Sequence, residues 1–244
     1  SSKFMYNAIK DEFKIVAVVQ AELKFKDKIM MLNRRAKRLG YLVLIGQLLF
    51  ILGLVRILTF LSRDRVYELR RNLNLEDDDY DQDKLIIVPN VNSNECLKVL
   101  KEIKPDIIIV NGTQIISKKI LNHINAVFIN THLGITPKYR GIHGGYWALA
   151  NGDRANCGVT IHLIDPGIDT GSILYQDVIE ITEKDNFVTY PYIQLARGID
   201  LMKLALNDLI NNRVRLKEIN TKSLLWTHPT LWNYLRIRFT KGVK

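Results

Sequence analysis

A chain of 244 residues is long enough for one substantial domain with an extension, or for two small domains. With 47% hydrophobic and 25% charged residues it has the make-up of a packed globular protein, which excludes intrinsic disorder, a collagen-like fibre and a disulfide scaffold. The net charge of +10 is concentrated: residues 24–71 hold twelve Lys and Arg against Asp27, Asp64 and Glu68, a local excess of +9. Such clustering points to an anionic neighbour, lipid headgroups or nucleic acid, with a solvated basic face as the plain alternative. Cys96 and Cys157 lie far apart without a CxxC pattern, and the five histidines show neither HxxxH nor HExxH spacing. The thiols suit idle residues in a reducing compartment, and no metal site is supported.

The chain opens without a signal-peptide pattern, on a helical spacing that runs through Phe13 with Phe4, Ala8 and Ile9 on one side and Ser1-Ser2 as its cap. Residues 14–19 (KIVAVV) read as a buried strand. The basic segment, an apolar run and an acidic, solvated loop at 76–83 (EDDDYDQD) follow. From residue 85 the pattern turns to α/β alternation. Strands are expected at 85–88, 106–110, 126–130, 158–164 and 173–181. Helices are expected at 94–103, after Ser117, through Tyr146 to Leu149, and at 187–211. Continuous apolar strands alternating with helices predict a Rossmann-like, mostly parallel α/β sheet covered by helices on both faces. A doubly wound sheet begins with a strand and a turn into the first helix, whereas here the chain begins at the helix. The first strand is therefore expected to be missing from the sheet.

The run 39–55 (LGYLVLIGQLLFILGLV) carries no charge and is borderline for a spanning helix, which needs about 20 apolar residues. Strands before and after it belong to one sheet, which disfavours a single crossing. Docking on a membrane surface, flanked by Arg34, Arg35, Lys37, Arg38, Arg56, Arg63 and Arg65, is the leading reading, and burial in the core or in a homodimer is the alternative. At the C-terminus, Trp226, Trp232, Tyr234 and Phe239 are interleaved with Arg236, Arg238, Lys241 and Lys244, a composition suited to a bilayer interface. Residues 224–239 are expected to share the docking surface with 39–55. No RNA-binding signature accompanies them, so no nucleic-acid partner is expected. The chain is expected to divide into an α/β domain at 1–212, with a helical insertion at about 24–75, and a basic aromatic tail at 213–244.

Three short segments follow successive strands, where open α/β sheets place ligands. They are Asn111-Gly112-Thr113-Gln114-Ile115-Ile116-Ser117, Asn130-Thr131-His132 with its continuation through Pro137-Lys138-Tyr139-Arg140-Gly141, and Asp165-Pro166-Gly167-Ile168-Asp169-Thr170-Gly171. Each alone is weak. In this order and spacing, over about residues 85–181, they resemble the formyltransferases that use 10-formyltetrahydrofolate: the glycinamide ribonucleotide, methionyl-tRNA and sugar-nucleotide enzymes. The resemblance implies that Asn130, His132 and Asp169 are catalytic. It also implies that Gly112, Thr113, Gln114, Ile115 and Ile116, with Pro166, Gly167 and Ile168, form the folate's pterin pocket.

The chemistry of the trio stands beside that resemblance. An amine attacking a formyl carbon builds negative charge on oxygen, which an Asn amide can receive as a hydrogen-bond donor. A histidine near neutrality can hold the amine's proton, and a carboxylate beside it sets its tautomer. Asn and His two apart on an extended strand point the same way. Lys138, Tyr139, Arg140 and His143 are candidate substrate contacts, with packing or a helix-start role as the alternative for each. His162, inside an apolar strand, reads as a strand-face residue, His123 as exposed at a helix end, and His228 as part of the tail. The expected activity is formyl transfer to a primary amine, an amino-sugar nucleotide or a lipid-linked amino sugar. Phosphoribosylglycinamide is the alternative acceptor, and an idle membrane-docked scaffold is the rival of another class. The expected location is cytoplasmic, peripheral on the inner face of the membrane.

Overall fold

Hydrogen bonding along the first segment makes Ser2–Ile9 a helix (α1), and the bond from Phe13 N–H to Ile9 O at 2.9 Å carries a further turn to the expected end. The computed structural model describes residues 2–22, 25–217, 219 and 221–244. Ser1, expected in the cap of α1, and Lys24, at the start of the basic segment, lie outside the described residues. Next comes β1, Val18–Ala21, set later than the apolar run suggested because only these residues lie opposite a partner. The basic segment and apolar run form an arm of helices: α2 (Phe25–Leu39), α3 (Tyr41–Leu48), a π-helical stretch (Leu49–Leu54), α4 (Val55–Leu61) and α5 (Arg63–Asn72). Gly40, at φ 87°, breaks α2 from α3 in a conformation that side chains rarely adopt. The acidic loop then ties the arm back, with Lys3 paired to Asp79 and Arg70 to Asp77.

The alternating half follows, with β5, β8 and α10 beyond the elements expected: β2 (Leu85–Val88), α6 (Asn94–Ile103), β3 (Ile107–Val110), α7 (Lys118–His123), β4 (Val127–His132), β5 (Arg140–Gly141), α8 (Gly144–Ala150), β6 (Gly158–Leu163), β7 (Ile173–Val178), α9 (Tyr190–Ile210), β8 (Leu225–Trp226) and α10 (Leu231–Lys241). Ser93 and Ser117 cap α6 and α7 through their hydroxyls, which accept from Cys96 N and Ile120 N.

β1 and β2 pair in parallel as one sheet, and β3–β4–β6–β7 form another. Parallel pairing holds from β3 to β4, and the mostly parallel sheet is as expected but for β6, which runs antiparallel to both β4 and β7. Residues 164–172 between β6 and β7 are too few for the crossover a parallel pair needs. Helices cover both faces. Ile129 faces α1 and α9 in a cluster with Met5, Ile9, Leu195 and Met202, while its neighbour Phe128 faces α6 and α7 with Cys96, Leu100 and Ile120. A third, aromatic cluster joins Phe50 of the arm to Tyr146, Trp147, Phe187 and Tyr234. Both cysteines are buried and free.

The arm departs from expectation on one face. Phe50 and Gln47 are fully buried, and the Trp232 ring covers Gly46 closely enough that no Cβ would fit. Its other face carries Leu42, Ile45, Leu49, Leu52, Ile57, Phe60 and Leu61 outward, Leu42 being 77% exposed. In the tail, Tyr234 is core rather than interfacial, and Trp226 stacks on Trp147 and Tyr139, whereas Trp232 and Phe239 remain exposed. Arg35 turns inward to Gln47 Oε1 at 3.0 Å instead of joining a basic rim.

Candidate active site

Strand β4 runs through His132, so Asn130-Thr131-His132 close the strand rather than follow it. The two-residue period puts Asn130 and His132 on one face, the face of Phe128. Val110, the last residue of β3, lies in register with Asn130. The segment 111–116 therefore leaves its strand beside Asn130. There Gly112 takes φ 62°, Thr113 is exposed and Gln114 half-buried. The exposed Ile115 and the buried Ile116 are held by Asn92, whose side chain donates to Ile115 O and accepts from Ser117 N at 2.9 and 2.7 Å.

The loop after β6 folds back over this end. Asp165 Oδ1 accepts from Gly167 N at 2.9 Å and Thr170 Oγ1 at 2.6 Å, and Pro166, Gly167 and Ile168 form its outer turn. Asp169, at φ 50°, is thereby turned inward. Its Oδ2 accepts from Gly141 N at 2.8 Å and lies 3.3 Å from His132 Nδ1, while Oδ1 lies 3.5 Å from His162 Nε2. Asn130 Nδ2 donates to the same His162 Nε2 at 3.1 Å, and His162 Nδ1–H donates to Leu163 O at 2.7 Å, which sets the neutral tautomer. His132 and His162 thus flank the Asp169 carboxylate and Asn130 joins it through His162, a fourth member that the sequence reading placed on a plain strand face. His162 is the register partner of Asn130 and so shares its face. The signal was a polar residue within an apolar strand, directly ahead of the Asp165–Gly171 turn.

His132 Nε2–H donates to Tyr139 O at 2.7 Å. That approach depends on Gly134, where a Cβ would come within 2.6 Å of Tyr139 O and 2.8 Å of His132 Nε2. Burial holds the His132 pKa below its ordinary value, against the opposing pull of the Asp169 charge and the Tyr139 carbonyl. For Asp169, burial resists ionisation, but the adjoining His162 and His132 rings and the Gly141 N–H outweigh it and hold the carboxyl below the usual range.

Of the candidate substrate contacts, Tyr139 meets this cluster through its backbone carbonyl and Arg140 through its side chain, donating from Nη1 to Ile168 O at 2.9 Å. A cavity of about 280 Å³ opens beside it, lined by Thr136, Arg140, Asp169, Thr170, Ser172 and Lys217 among others. Lys138 pairs with Asp153 at 2.5 Å, and buried Tyr139 donates to the same carboxylate at 2.8 Å. His143 begins α8 without capping it: its Nε2 meets His228 Nδ1 at 2.8 Å. Burial, then the charges of His228 and Arg35, pulls His143 down to about 3. Strand β8 went unforeseen. It pairs with Arg140 and Gly141, and Trp226 Nε1 donates to Lys138 O at 3.1 Å, so the C-terminal segment clamps the loop that holds Asp169.

Comparison with known proteins places this chain in a family. Residues 62–192 match the family model described as formyl transferase. The methionyl-tRNA formyltransferase of Finegoldia magna is 34% identical over 128 residues, covering 50% of this chain and 40% of that protein. That of Nitratiruptor sp. is 44% identical over 100 residues, covering 41% and 32%. The chain thus spans two fifths or less of the length of these curated relatives. Among solved structures, a sugar N-formyltransferase from Shewanella sp. is similar at TM-score 0.49 and 28% identity, covering 58% of this chain and 56% of that one. The phosphoribosylglycinamide formyltransferase of Bacillus halodurans is similar at TM-score 0.46 and 25% identity, covering 52% and 69%. With more than half of its residues matched by the family model, the chain belongs to the formyl transferase family.

Proposed function

We propose that the protein transfers a formyl group from 10-formyltetrahydrofolate to a primary amine, with residues 1–212 as the catalytic unit and 213–244 bracing it through β8. The observation that carries this reading is the Asp169 carboxylate held between His132 and His162 at the strand end that bears Asn130. The amine nitrogen attacks the formyl carbon, the C–N bond forms and the carbonyl oxygen becomes an oxyanion. The second hydrogen of Asn130 Nδ2 is the donor for that oxygen, a role worth about 3 kcal/mol in comparable sites. The amine's proton passes by way of Asp169 to His132 Nδ1. With Nε2–H already on Tyr139 O, the resulting imidazolium has an acceptor at each nitrogen. Return of the proton to the folate nitrogen as its bond to the formyl carbon breaks completes the transfer. General acid–base help of this kind typically contributes 10²–10⁴-fold.

The folate's flat, polar-edged ring is assigned to the segment 112–116, which leaves β3 beside Asn130, together with the turn 166–168. Arg140, with Lys217 across the 280 Å³ cavity, suits an anionic acceptor. We read that acceptor as an amino sugar on a nucleotide or lipid carrier. Methionyl-tRNA is a second reading, favoured by the curated relatives, and phosphoribosylglycinamide a third. An idle scaffold fits less well, because the four-residue cluster and its supporting contacts are all in place. Tetrahydrofolate release followed spectroscopically with a panel of sugar-nucleotide amines, methionyl-tRNA and phosphoribosylglycinamide separates these readings. No turnover with any amine defeats the enzyme reading.

We further read the arm as a peripheral anchor on the cytoplasmic face of an anionic membrane. A water-facing helix carries polar residues outward, whereas residues 41–61 form a helical run, apolar and mostly unburied, with Arg56 and Arg63 beside its outward leucines. Parallel pairing of β1 before the arm with β2 after it keeps both ends on one side of a bilayer, so the helix lies along the surface. Sedimentation with anionic vesicles that weakens with salt supports this. A salt-insensitive dimer without vesicle binding assigns the face to a second copy instead.

A further inference from the structure

Past His132 the chain leaves β4, folds tightly through Gly134 to Thr136 and returns so that Tyr139 O meets the His132 ring. Two local backbone bonds, Gly134 N–H to His132 O and Tyr139 N–H to Ile135 O, both at 2.9 Å, shape this segment without tying it to β6 or β7. That tie comes from a row of side chains across the sheet. His132 lies in register with Thr160 of β6, and Thr160 with Gln176 of β7, so all three share the face of the site. Gln176 Nε2 donates to Thr136 O at 2.7 Å and to Thr160 Oγ1 at 2.9 Å, with the Thr136 hydroxyl farther off at 3.4 Å. The Thr160 hydroxyl donates to Gly134 O at 2.7 Å and accepts from Thr136 N–H at 3.1 Å. Thr136 and Thr160 are buried, so a bond lost here has no ready replacement. A hydroxyl offers one hydrogen and two lone pairs, and at Thr160 all three are engaged. The Gln176 amide therefore presents its NH₂ to the segment, with both hydrogens committed.

We propose that Gln176 is a positioning residue for formyl transfer: through Thr136 and Thr160 it seats the segment 134–136 on the sheet, and thereby fixes which nitrogen of His132 carries the hydrogen. The neutral ring has one N–H and two acceptors in reach, Tyr139 O at 2.7 Å from Nε2 and Asp169 Oδ2 at 3.3 Å from Nδ1. Only while the carbonyl keeps its short approach does the hydrogen stay on Nε2 and leave Nδ1 free to take up a proton. Gly134 sits against both groups. A Cβ there would stand 2.6 Å from Tyr139 O and 2.8 Å from His132 Nε2, so a shift of this residue alters the approach of carbonyl to ring. Without the Gln176 donors, Thr136 O is released, the segment lifts, and the hydrogen moves to Nδ1, facing the carboxylate. The consequence for rate rests on the proton path proposed above, whereas the tautomer is independent of it.

The test is Gln176→Met, which keeps the length of the side chain and removes both donors, read by the nitrogen NMR shifts of the His132 ring and by steady-state kinetics. The expected result is Nε2–H in the native protein and a clear Nδ1–H population in the variant. For tetrahydrofolate release, kcat should fall at least about tenfold while KM for the formyl donor stays within about twofold, since Gln176 is assigned no substrate contact. Thr160→Val, which keeps the shape and loses the hydroxyl, should reproduce both changes, and Thr160→Ser should behave as the native protein does. Nε2–H alone in Gln176→Met overturns the proposal whatever the rate, and a lowered melting temperature with that tautomer returns Gln176 to packing. Nδ1–H already in the native protein overturns it together with the proton path. A tautomer shift in a chain that turns over no amine upholds the positioning of His132 and defeats formyl transfer instead. Should Gln176→Met fail to fold, the two Thr160 variants decide.

Discussion

Replacing Asp169 by Asn tests the centre of the site with almost no change of shape. The amide keeps one oxygen to accept from Gly141 N–H, so the loop stays anchored, but the negative charge 3.3 Å from His132 Nδ1 is removed. At that distance, with an effective dielectric of about 20, a carboxylate stabilises an imidazolium by about 5 kcal/mol before solvation is counted. If His132 takes up the amine's proton during turnover, most of this interaction exists only in the charged state. The expected loss in kcat is therefore about 10²–10⁴-fold, with KM for the folate changed little. The assay is tetrahydrofolate release with saturating formyl donor, alongside circular dichroism to verify the fold. The pH profile supplies a second readout. Burial holds His132 below its ordinary value, so in the native enzyme the acidic limb of kcat/KM should fall below pH 6.5. In Asp169→Asn it should move lower still, because the attraction that favours the charged ring is gone. A variant that retains a rate within threefold of the native one, or whose acidic limb moves upward, would refute the proton path.

His162→Gln should lower kcat at least about tenfold without raising KM, because Asn130 loses the acceptor that aims its amide; a native rate returns His162 to a packing role. Gly134→Ala sets a Cβ 2.6 Å from the Tyr139 carbonyl, which has little room to withdraw, and should cost about 1–3 kcal/mol in urea unfolding along with activity; unchanged stability contradicts the close approach. His143 and His228 are pulled down to about 3 and about 4, burial being the main cause for both. The unfolded chain protonates these rings near 6.5, so between that value and 4 it binds more protons than the folded chain, and stability is lost as pH falls. The expected loss is about 2 kcal/mol per ring by pH 5, and His143→Gln should flatten the slope of stability against pH; an unaltered slope refutes it. Leu49→Glu with Phe60→Glu, both on the outward face of the arm, should abolish sedimentation with anionic vesicles and leave turnover of a soluble acceptor unchanged.

Much of this site was legible because its polar residues stand where packing alone would not place them. Asn130 and His132 interrupt an apolar strand at the period that shares a face, and Asp169 lies in a turn rich in Gly and Pro. His162 carried the same signature but lay one position deeper in its strand, and a single buried histidine has a satisfied structural role more often than a chemical one. Strand direction was hidden for a different reason. Apolar continuity marks a strand as interior without revealing which way it runs, although the short link 164–172 forbade a parallel crossover. Trp226 and Tyr234 were misplaced because an aromatic residue among basic ones reads alike whether it packs inward or outward. Only tertiary contact with Tyr139, Trp147 and Phe50 distinguishes them.

The most informative departure concerns Gln47, a polar residue within an uncharged run. In an apolar helix such a side chain is costly to bury unless both ends are paired, and here both are: Nε2 donates to His228 O at 2.6 Å and Oε1 accepts from Arg35 at 3.0 Å. The arm is therefore fixed by a directional contact as well as by Phe50, which sets which face it turns outward. His228 sits two residues beyond β8, and β8 pairs with Gly141, whose N–H holds Asp169. An unbroken series of hydrogen bonds and short backbone links thus runs from the arm to the carboxylate: Arg35, Gln47, His228, Trp226, Gly141, Asp169. A surface that reorients the arm must either break the Gln47 contacts or carry β8 with it. The outward face of the arm and the loop that holds Asp169 are thus linked through one segment, and under the proposed docking that segment sets the orientation of the chain on its surface.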